Sequence, residues 1–446
     1  MSSVDVRGKR FLITHTVVHE IMGSTVVALE LAQYLRSAGA DVVVYASYAA
    51  PPMLDHFAAA GIRVVDDAAA GTLALGDFDY VWVHSQVLPL SLATELAAGL
   101  PSEPPIFVFH HMSALETAAD EHPYMYGLED RLSSLSLFVS QATRDKLAPW
   151  LDPSIPVGVF PNPAPSSFVD VVREPARPLS RILIVSNHPP EEVLEARDIL
   201  RERGLDVSML GRHQEQYGLL DPSLLSAQDV VVTIGKTAQY CLVAGVPVFI
   251  YDHFGGTGYL DDENHDRVAY RNFSGRGDER LPAERIADAL VSGYEDACRF
   301  HLDRRAEFIE RYSLRRVVPA VLSAAHRREI DEFEPRFALP HVSAQRFGAR
   351  YYRSWGANVT LRAEGRALRA AKQDVERESE RTVTRLRASN DRLRRQVRQA
   401  RAARREAEQR ASRLESDLAD LRGSRTFRLR FRSVLVRRQG LEPRTR

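Results

Sequence analysis

Short apolar runs alternate with amphipathic stretches over the first half of the chain. Runs rich in Val, Ile, Leu and Phe predict strands at 11–14, 42–45, 62–65, 80–83, 106–109, 137–139 and 157–160. These runs are continuously apolar, which is typical of strands whose two faces are both covered by helices. Residues 24–37 form the clearest helix, with Ser24 as N-cap and Val27, Leu31 and Leu35 on one face. The pattern therefore predicts βαβ units in a parallel sheet.

The same pattern restarts after a proline-rich segment at 161–178. It predicts further strands at 182–186, 207–210, 230–232 and 246–251, with helices at 191–203, 282–300 and 303–326. We interpret residues 1–165 and 166–330 as two Rossmann-like, doubly wound α/β domains that face each other. Ligands bind at the carboxyl edge of such sheets, so the predicted active site is the cleft between the two domains.

A different pattern follows residue 330. Residues 331–360 read as an irregular connector, because they include Pro335, Pro340, Gly348 and Gly356. Residues 361–422 have heptad spacing, with Leu386, Leu393 and Leu414 among the d positions and Asn390 at an a position. We expect a homodimeric coiled coil here, and the alternative is a single solvated charged helix.

Charge is distributed unevenly along the chain. Residues 362–446 contain 26 Lys and Arg against 12 Asp and Glu, whereas the whole chain has 59 of each, so the body is acidic and the C-terminal part is basic. Residues 423–446 mix arginines with Phe427, Leu429 and Phe431, a composition suited to lying on the inner membrane surface. The alternatives are a plain basic tail and a nucleic-acid contact.

Neither the number of cysteines nor the length of the apolar stretches suggests an exported protein. The two cysteines, Cys241 and Cys298, are too few for a disulfide framework or a zinc site. No stretch resembles a signal peptide or a transmembrane helix, so we expect a cytoplasmic location, at or near the inner face of the cell membrane.

Candidate site residues follow predicted strands, where they would meet at one sheet edge. In the first half, Gly23 would let backbone N–H groups approach a ligand. His19 or Glu20 would serve as a general base, and His110 ends the 106–109 strand. Residues 15–23 are expected to form a loop, and the alternative to a catalytic role for its residues is that this loop is simply solvated. No spacing of His, Asp or Glu indicates a metal site.

In the second half, polar and glycine residues follow successive strands. A short helix is predicted at 238–244, closed by Gly245 with Pro247 two residues on. Lys236 and Thr237 stand at its N-terminus, which suits a phosphate. A three-glycine segment after the next strand is expected to form a ligand-facing turn. The complete set of candidate donor-binding residues here is Asn187, His188, Gly211, Lys236, Thr237, Gly255, Gly256, Thr257 and Gly258.

Several segments resemble GT-B glycosyltransferases of the large family-4 type. In the first half these are FDYVWVHS (78–85), LFVSQATR (137–144) and VFPNP (159–163). In the second half, four segments resemble a bacterial branch associated with surface-polysaccharide biosynthesis: SNHPP (186–190), TIGKTAQY (233–240), YDHFGGTGYL (251–260) and NFSGRG (272–277). The resemblance covers roughly residues 8–330. Tyr240 and Val232 stand where the family carries two glutamates, which leaves retaining or inverting stereochemistry open.

The resemblance implies a metal-independent glycosyltransferase without a cofactor. It would move a sugar from a nucleotide-sugar donor to a lipid-linked or polysaccharide acceptor, with His110 beside the transferred sugar. Lys236 and Thr237 would hold the donor diphosphate, and His19 or Glu20 would address the acceptor hydroxyl. Two alternatives are a nucleotide-sugar epimerase on the same fold and a non-catalytic scaffold that oligomerises through its coiled coil.

Overall fold

The computed structural model describes residues 4–67, 69–115, 125–171, 178–330 and 333–423. A first compact unit ends at Ala357 and a second begins at Asn358. The first unit contains two β-sheets with helices packed on both faces of each. The predicted fold class of two Rossmann-like α/β domains is therefore confirmed.

Seven of the described strands form the first sheet, in the spatial order β3-β2-β1-β4-β5-β6-β7, and every neighbouring pair is parallel. The chain leaves β1 toward β2 on one side and returns to β4 on the other, so the switch point of the sheet lies between β1 and β4. The strands are β1 (Arg10–Val18), β2 (Asp41–Ala49), β3 (Arg63–Val65), β4 (Tyr80–His84), β5 (Ile106–His111), β6 (Ser133–Phe138) and β7 (Val157–Val159).

Five strands among the described residues form the second sheet, in the order β12-β11-β10-β8-β9. All pairs are parallel except β11 with β12, which is antiparallel. Its switch point lies between β8 and β10. The strands are β8 (Arg181–Val185), β9 (Asp206–Leu210), β10 (Val230–Thr233), β11 (Val248–Asp252) and β12 (Gly255–Tyr259).

Helices connect most of these strands and cover the sheets. In the first sheet's domain they are α1 (Gly23–Ser37), α2 (Met53–Ala59), α3 (Leu90–Ala98), α4 (Tyr126–Leu132) and α5 (Gln141–Leu147). The remaining helices are α6 (Ser166–Val169), α7 (Glu191–Glu202), α8 (Pro222–Ser226), α9 (Lys236–Ala244), α10 (His265–Tyr270), α11 (Ala283–Ser292), α12 (Tyr294–Asp303), α13 (Arg305–Tyr312), α14 (Leu314–Ala324) and α15 (Leu339–Gly423).

The continuously apolar strands fill both faces of each sheet, as the sequence pattern predicts. In β1, Phe11 and Ile13 join one core cluster and Leu12 joins another, because successive side chains point to opposite faces. In β10, Val231 and its neighbour Val232 divide between two clusters in the same way. Each sheet is thus the middle layer of three.

The chain crosses between the domains twice, and the two crossings lie side by side. Ala164 accepts a hydrogen bond from the Leu314 amide (2.8 Å) and donates one to the Tyr312 carbonyl (2.6 Å). Beyond this point α14 packs Leu314 and Val318 into the core of the first sheet. The last helix before residue 330 therefore completes the N-terminal domain, although it belongs to the sequence range 166–330.

Three details of the sequence interpretation are wrong. β1 continues through His15 to Val18, where a loop was expected. Residues 255–258 lie in the antiparallel edge strand β12, where a ligand-facing turn was expected. α15 begins at Leu339, so much of the segment interpreted as an irregular connector is helical.

The part of α15 beyond Asn358 is one uninterrupted helix through Gly423. Its apolar heptad positions are exposed in the single chain, with Leu386, Leu393 and Leu414 each more than half accessible. Assembly into a coiled coil stays a prediction. None of the described helices combines the length and apolar composition that crossing a membrane requires. The predicted membrane-surface tail at 424–446 lies outside the described residues.

Candidate active site between the two sheets

A cleft of about 1370 Å³ lies between the carboxyl edges of the two sheets. The first domain contributes the end of β1, the loop before α1 and one face of that helix. The second contributes the segments that follow β8, β9, β10 and β11. Because both switch points open into this cleft, it is where the fold places a ligand.

One contact across the cleft joins Glu20 to Arg212. The Arg212 guanidinium lies 2.9 and 3.0 Å from the two Glu20 carboxylate oxygens. Asn187 reinforces it, because its amide donates to the Ile21 carbonyl (3.0 Å) and accepts from the Arg212 backbone N–H (2.9 Å). Glu20, a candidate base, thus lines the cleft, but its carboxylate is paired with the Arg212 guanidinium of the opposite domain.

A second contact, fully buried, joins Glu30 of α1 to the start of α9. The Lys236 ammonium lies 2.6 Å from Glu30 Oε2 as an ion pair, and it donates to the carbonyls of Asn162 (3.0 Å) and Pro163 (2.7 Å). The Tyr240 hydroxyl donates to Glu30 Oε1. Burial raises the pKa of Glu30 and lowers the pKa of Lys236, while their mutual attraction opposes both shifts. We call Glu30, Lys236 and Tyr240 the interdomain triad.

Lys236 therefore lines the cleft with its ammonium already engaged. Phosphate binding by Lys236 stays a prediction, and it would require the ammonium to exchange one of its present partners. Tyr240 stacks on Phe168 at 4.0 Å between ring centroids and holds the Glu30 carboxylate.

The second domain supplies a polar wall at the strand ends. The Asp252 carboxylate is buried and accepts hydrogen bonds from Ser186 Oγ (2.9 and 3.0 Å) and from the His253 backbone N–H (2.9 Å). Burial raises the pKa of Asp252, and these hydrogen bonds partly offset that effect. The Arg276 guanidinium lies 4.1 Å from the centre of the Phe254 ring.

Arg276 is the cation of this wall. No carboxylate in the described ranges forms an ion pair with it, and burial lowers the pKa of its guanidinium. In the same cleft, α9 begins at Lys236 and Thr237, whose first-turn N–H groups have no acceptor within the helix. A half-buried guanidinium and a helix N-terminus that line one cleft form an environment for an anion.

The other candidates of this domain divide into two groups. His188, Thr237 and Gly211 line the cleft. Gly211 also needs its small size, since a Cβ there would lie 1.9 Å from the Ser186 carbonyl oxygen. The segment 255–258 does not line the cleft; a Cβ at Gly256 would lie 1.9 Å from the Ile250 carbonyl oxygen, so close strand packing accounts for that glycine.

His110 lies behind the cleft wall and not on it. Its ring is fully buried between Trp82, Phe160 and His84, and its Nδ1 lies 2.9 Å from His84 Nε2. Burial lowers the pKa of His110 to about 3, so the ring is neutral. The neighbouring His111 is bound to buried Glu129 at 2.9 Å. The structure thus does not bring His110 to the cleft surface, and its contact with a sugar stays a prediction.

His19 lies in an aromatic cluster with Tyr48 and Trp355, at ring distances of 5.9 and 6.3 Å. Its near neighbours Glu20 and Gly23 line the cleft, whereas His19 does not. In the described part of the chain, no three His, Cys, Asp or Glu side chains are grouped as a metal site requires.

The cleft residues that the sequence interpretation missed include Asp252, Arg276 and Glu30. Asp252 is the last residue of β11, so the strand-end rule that selected Asn187 would also have selected it. Arg276 lies in a segment singled out only for its resemblance. Glu30 carries no local signal other than a carboxylate between the apolar Leu29 and Leu31, and its role depends on the opposite domain.

Two facing Rossmann-like domains with an intervening cleft define the GT-B fold. No family model matches the sequence, and no curated protein sequence matches it. Solved structures with a similar architecture include a glycosyltransferase from Rickettsia africae ESF-5, with a TM-score of 0.44 and 13% identity over 71% of this chain and 97% of that one. Sucrose-phosphate synthase from Thermosynechococcus elongatus has a TM-score of 0.46 and 12% identity over 71% and 97%. A UDP-N-acetylglucosamine 2-epimerase has a TM-score of 0.42 and 13% identity over 73% and 99%. These likenesses concern the fold alone.

Proposed function

We propose that this protein is a GT-B glycosyltransferase that moves a sugar from a nucleotide-sugar donor to an acceptor hydroxyl. The observation that carries the proposal is the polar wall of the cleft, which Arg276, without a carboxylate partner in the described chain, lines together with the α9 N-terminus and Asp252. A cation, free N–H groups and a buried carboxylate together match a diphosphate joined to hydroxyl-rich sugars.

In this proposal Arg276 and the first N–H groups of α9 hold the donor diphosphate. They would stabilise the negative charge that develops on it as the sugar departs, which is the main way such sites accelerate transfer. Asp252 would accept hydrogen bonds from the hydroxyl groups of the sugar nucleotide, and Ser186 would donate hydrogen bonds to them. Lys236 would add a further charge if the diphosphate displaces Glu30.

Glu20 is the candidate for the acceptor side. Its carboxylate lies on the wall opposite Arg276, and it could accept the acceptor proton once Arg212 releases it. Such a release would couple catalysis to a change at the contact between the domains. Both His19 and His110 lie outside the cleft lining, so we assign them supporting positions behind the wall.

We further propose that the acceptor is a lipid-linked or polysaccharide glycan assembled at the inner membrane surface. The basic, aromatic composition of residues 424–446 supports membrane contact. The exposed heptad leucines of α15 support a homodimer.

Isothermal titration calorimetry of the full chain with UDP, dTDP, GDP, CDP and ADP tests the donor assignment. We expect at least one nucleotide to bind, and Arg276→Gln to weaken that binding by roughly tenfold to a hundredfold, as loss of a charge-assisted contact implies. The control is Arg285→Gln, an exposed arginine of α11 in the same domain, which should bind like the wild type.

Absence of binding to all five nucleotides would contradict the proposal and favour the non-catalytic scaffold. If Arg276→Gln binds the nucleotide with unchanged affinity, the polar wall is not part of the donor site. Turnover of a sugar nucleotide to an isomer, without an acceptor and without nucleotide release, would instead favour the epimerase.

A further inference from the structure

The first turns of α15, up to Ala357, form part of the cleft. His341, Val342, Gln345 and Gly356 are buried where this segment packs against the first domain. Gly356 lies so close to Tyr48 of β2 that a Cβ would be 2.2 Å from the tyrosine ring. The segment is therefore seated against the domain at a defined rotation about its axis.

The neighbouring face of the same turns looks into the cleft. It carries Phe347, Tyr351, Tyr352 and Trp355, which we call the aromatic wall. Phe347, Tyr351 and Trp355 recur every fourth residue, so they form a row along the helix with steps of about 6 Å. Phe347 is 74% exposed and Tyr351 is 62% exposed. Adjacent large aromatic side chains left open to solvent inside a cleft mark a binding surface.

The composition of the aromatic wall indicates its ligand. Tyrosine and tryptophan combine a flat apolar face with a polar edge, and Ser47 and Ser113 also line the cleft. The helix surface beside these rings is open at Gly348, where a Cβ would meet no other segment within 4 Å. Flat apolar faces bordered by hydroxyls match a sugar ring, which presents C–H groups on its face and hydroxyls at its rim.

We propose that the aromatic wall is a saccharide subsite that holds the acceptor glycan, with successive sugar rings stacked along Phe347, Tyr351 and Trp355. The step between these side chains is close to the length of one sugar unit. The role of that glycan as acceptor rests on the proposed function, whereas saccharide binding by the wall does not. The alternative ligand is an isoprenoid chain, which would bind better to aliphatic side chains without hydroxyl groups.

Trp355 provides the signal for a direct test. The chain has three tryptophans; Trp82 is fully buried and Trp150 is exposed, so the Trp150→Phe background leaves Trp355 as the responsive fluorophore. The full chain would be titrated with maltoheptaose, chitopentaose, a linear mannopentaose and farnesyl phosphate. We expect saturable fluorescence change with at least one oligosaccharide and none with farnesyl phosphate.

Matched variants localise the binding. Tyr351→Ala and Phe347→Ala should each weaken oligosaccharide binding roughly tenfold, the loss expected for about one stacking contact. Val375→Ala removes an exposed apolar side chain of the same helix beyond residue 357 and should leave the affinity unchanged. Failure of all three oligosaccharides, preference for farnesyl phosphate, or wild-type affinity in Tyr351→Ala would each overturn the proposal.

Nucleotide binding measured on the same preparations separates the two proposals. Nucleotide binding without oligosaccharide binding would reject the aromatic wall and leave the donor site standing. Oligosaccharide binding without nucleotide binding would retain the saccharide subsite and reject the glycosyltransferase.

Discussion

Breaking the interdomain triad should destabilise the protein more than breaking any exposed ion pair. Glu30→Gln keeps the size of the side chain and its ability to accept from the Tyr240 hydroxyl, but removes its negative charge. The Lys236 ammonium would then be buried without a counter-ion, with the carbonyls of Asn162 and Pro163 as hydrogen-bond partners. Lys236→Met has the converse effect and leaves the Glu30 carboxylate with Tyr240 alone.

The magnitude follows from burial. The Glu30 and Lys236 side chains are only 9% and 6% exposed, so neither ion recovers its hydration when its partner is removed. Removing one member of such a pair costs about 3–5 kcal/mol of the free energy of unfolding, because the other charge is left unpaired. The double variant removes both charges and should cost less than the sum of the two single variants.

Urea denaturation followed by circular dichroism measures these free energies. Glu20→Gln is the matched control, because its pair with Arg212 also spans the cleft but is partly exposed, and it should cost about 1 kcal/mol or less. The reasoning is refuted if Glu30→Gln costs no more than Glu20→Gln. It is also refuted if the effects of Glu30→Gln and Lys236→Met simply add.

Three further predictions concern other parts of the chain. Burial depresses the pKa of His110 from 6.5 to about 3, so between these pH values the unfolded chain binds a proton that the folded chain does not, and the free energy of unfolding falls as the pH drops. His110→Leu should therefore reduce the slope of the free energy of unfolding against pH by about 1.4 kcal/mol per pH unit. His326→Leu, the exposed control, should leave that slope unchanged. Gly356→Ala should destabilise the fold by about 1–3 kcal/mol, because the added methyl group would overlap the Tyr48 ring. Gly348→Ala, in open space on the same helix, should stabilise the fold by up to about 1 kcal/mol. Thermal unfolding of the two variants measures both effects. In sedimentation equilibrium the full chain should be a dimer and Leu393→Asp a monomer, and a wild-type monomer would contradict the coiled coil.

The layered architecture could be predicted because it depends on local patterns. Continuous apolar runs such as that in β10 require helices on both faces, and Gly245 with Pro247 correctly ends α9 before β11. Polar residues after strands likewise identified Asn187 and Thr237 as cleft residues. These features need only the period of the side chains and the chemistry of helix ends.

Contacts between distant segments could not be predicted in the same way. Lys236 begins a helix as expected, but its ammonium pairs with a carboxylate from α1, more than two hundred residues earlier, which no local pattern announces. His110 lies near the end of β5, yet aromatic rings from β4 and the segment after β7 cover it. Which partner covers a strand end is decided by packing, which leaves no trace in local spacing.

Glycines were misleading at two places in the sequence. Gly255, Gly256 and Gly258 suggested a turn, but they serve close strand packing in β12. Gly348 and Gly356 suggested an irregular connector, but one leaves open space in the cleft and the other permits contact with Tyr48. In both places small side chains reflect tertiary packing and not chain reversal.

Release of nucleoside diphosphate from sugar nucleotides tests the central claim most directly. The purified full chain would be incubated with UDP-, dTDP- and GDP-linked sugars, with and without the oligosaccharides of the fluorescence panel, and the products identified by mass spectrometry. The account predicts nucleotide release that depends on the oligosaccharide, an elongated oligosaccharide, and loss of both in Arg276→Gln. Isomerised sugar nucleotide without release, or no turnover of any donor, would contradict it.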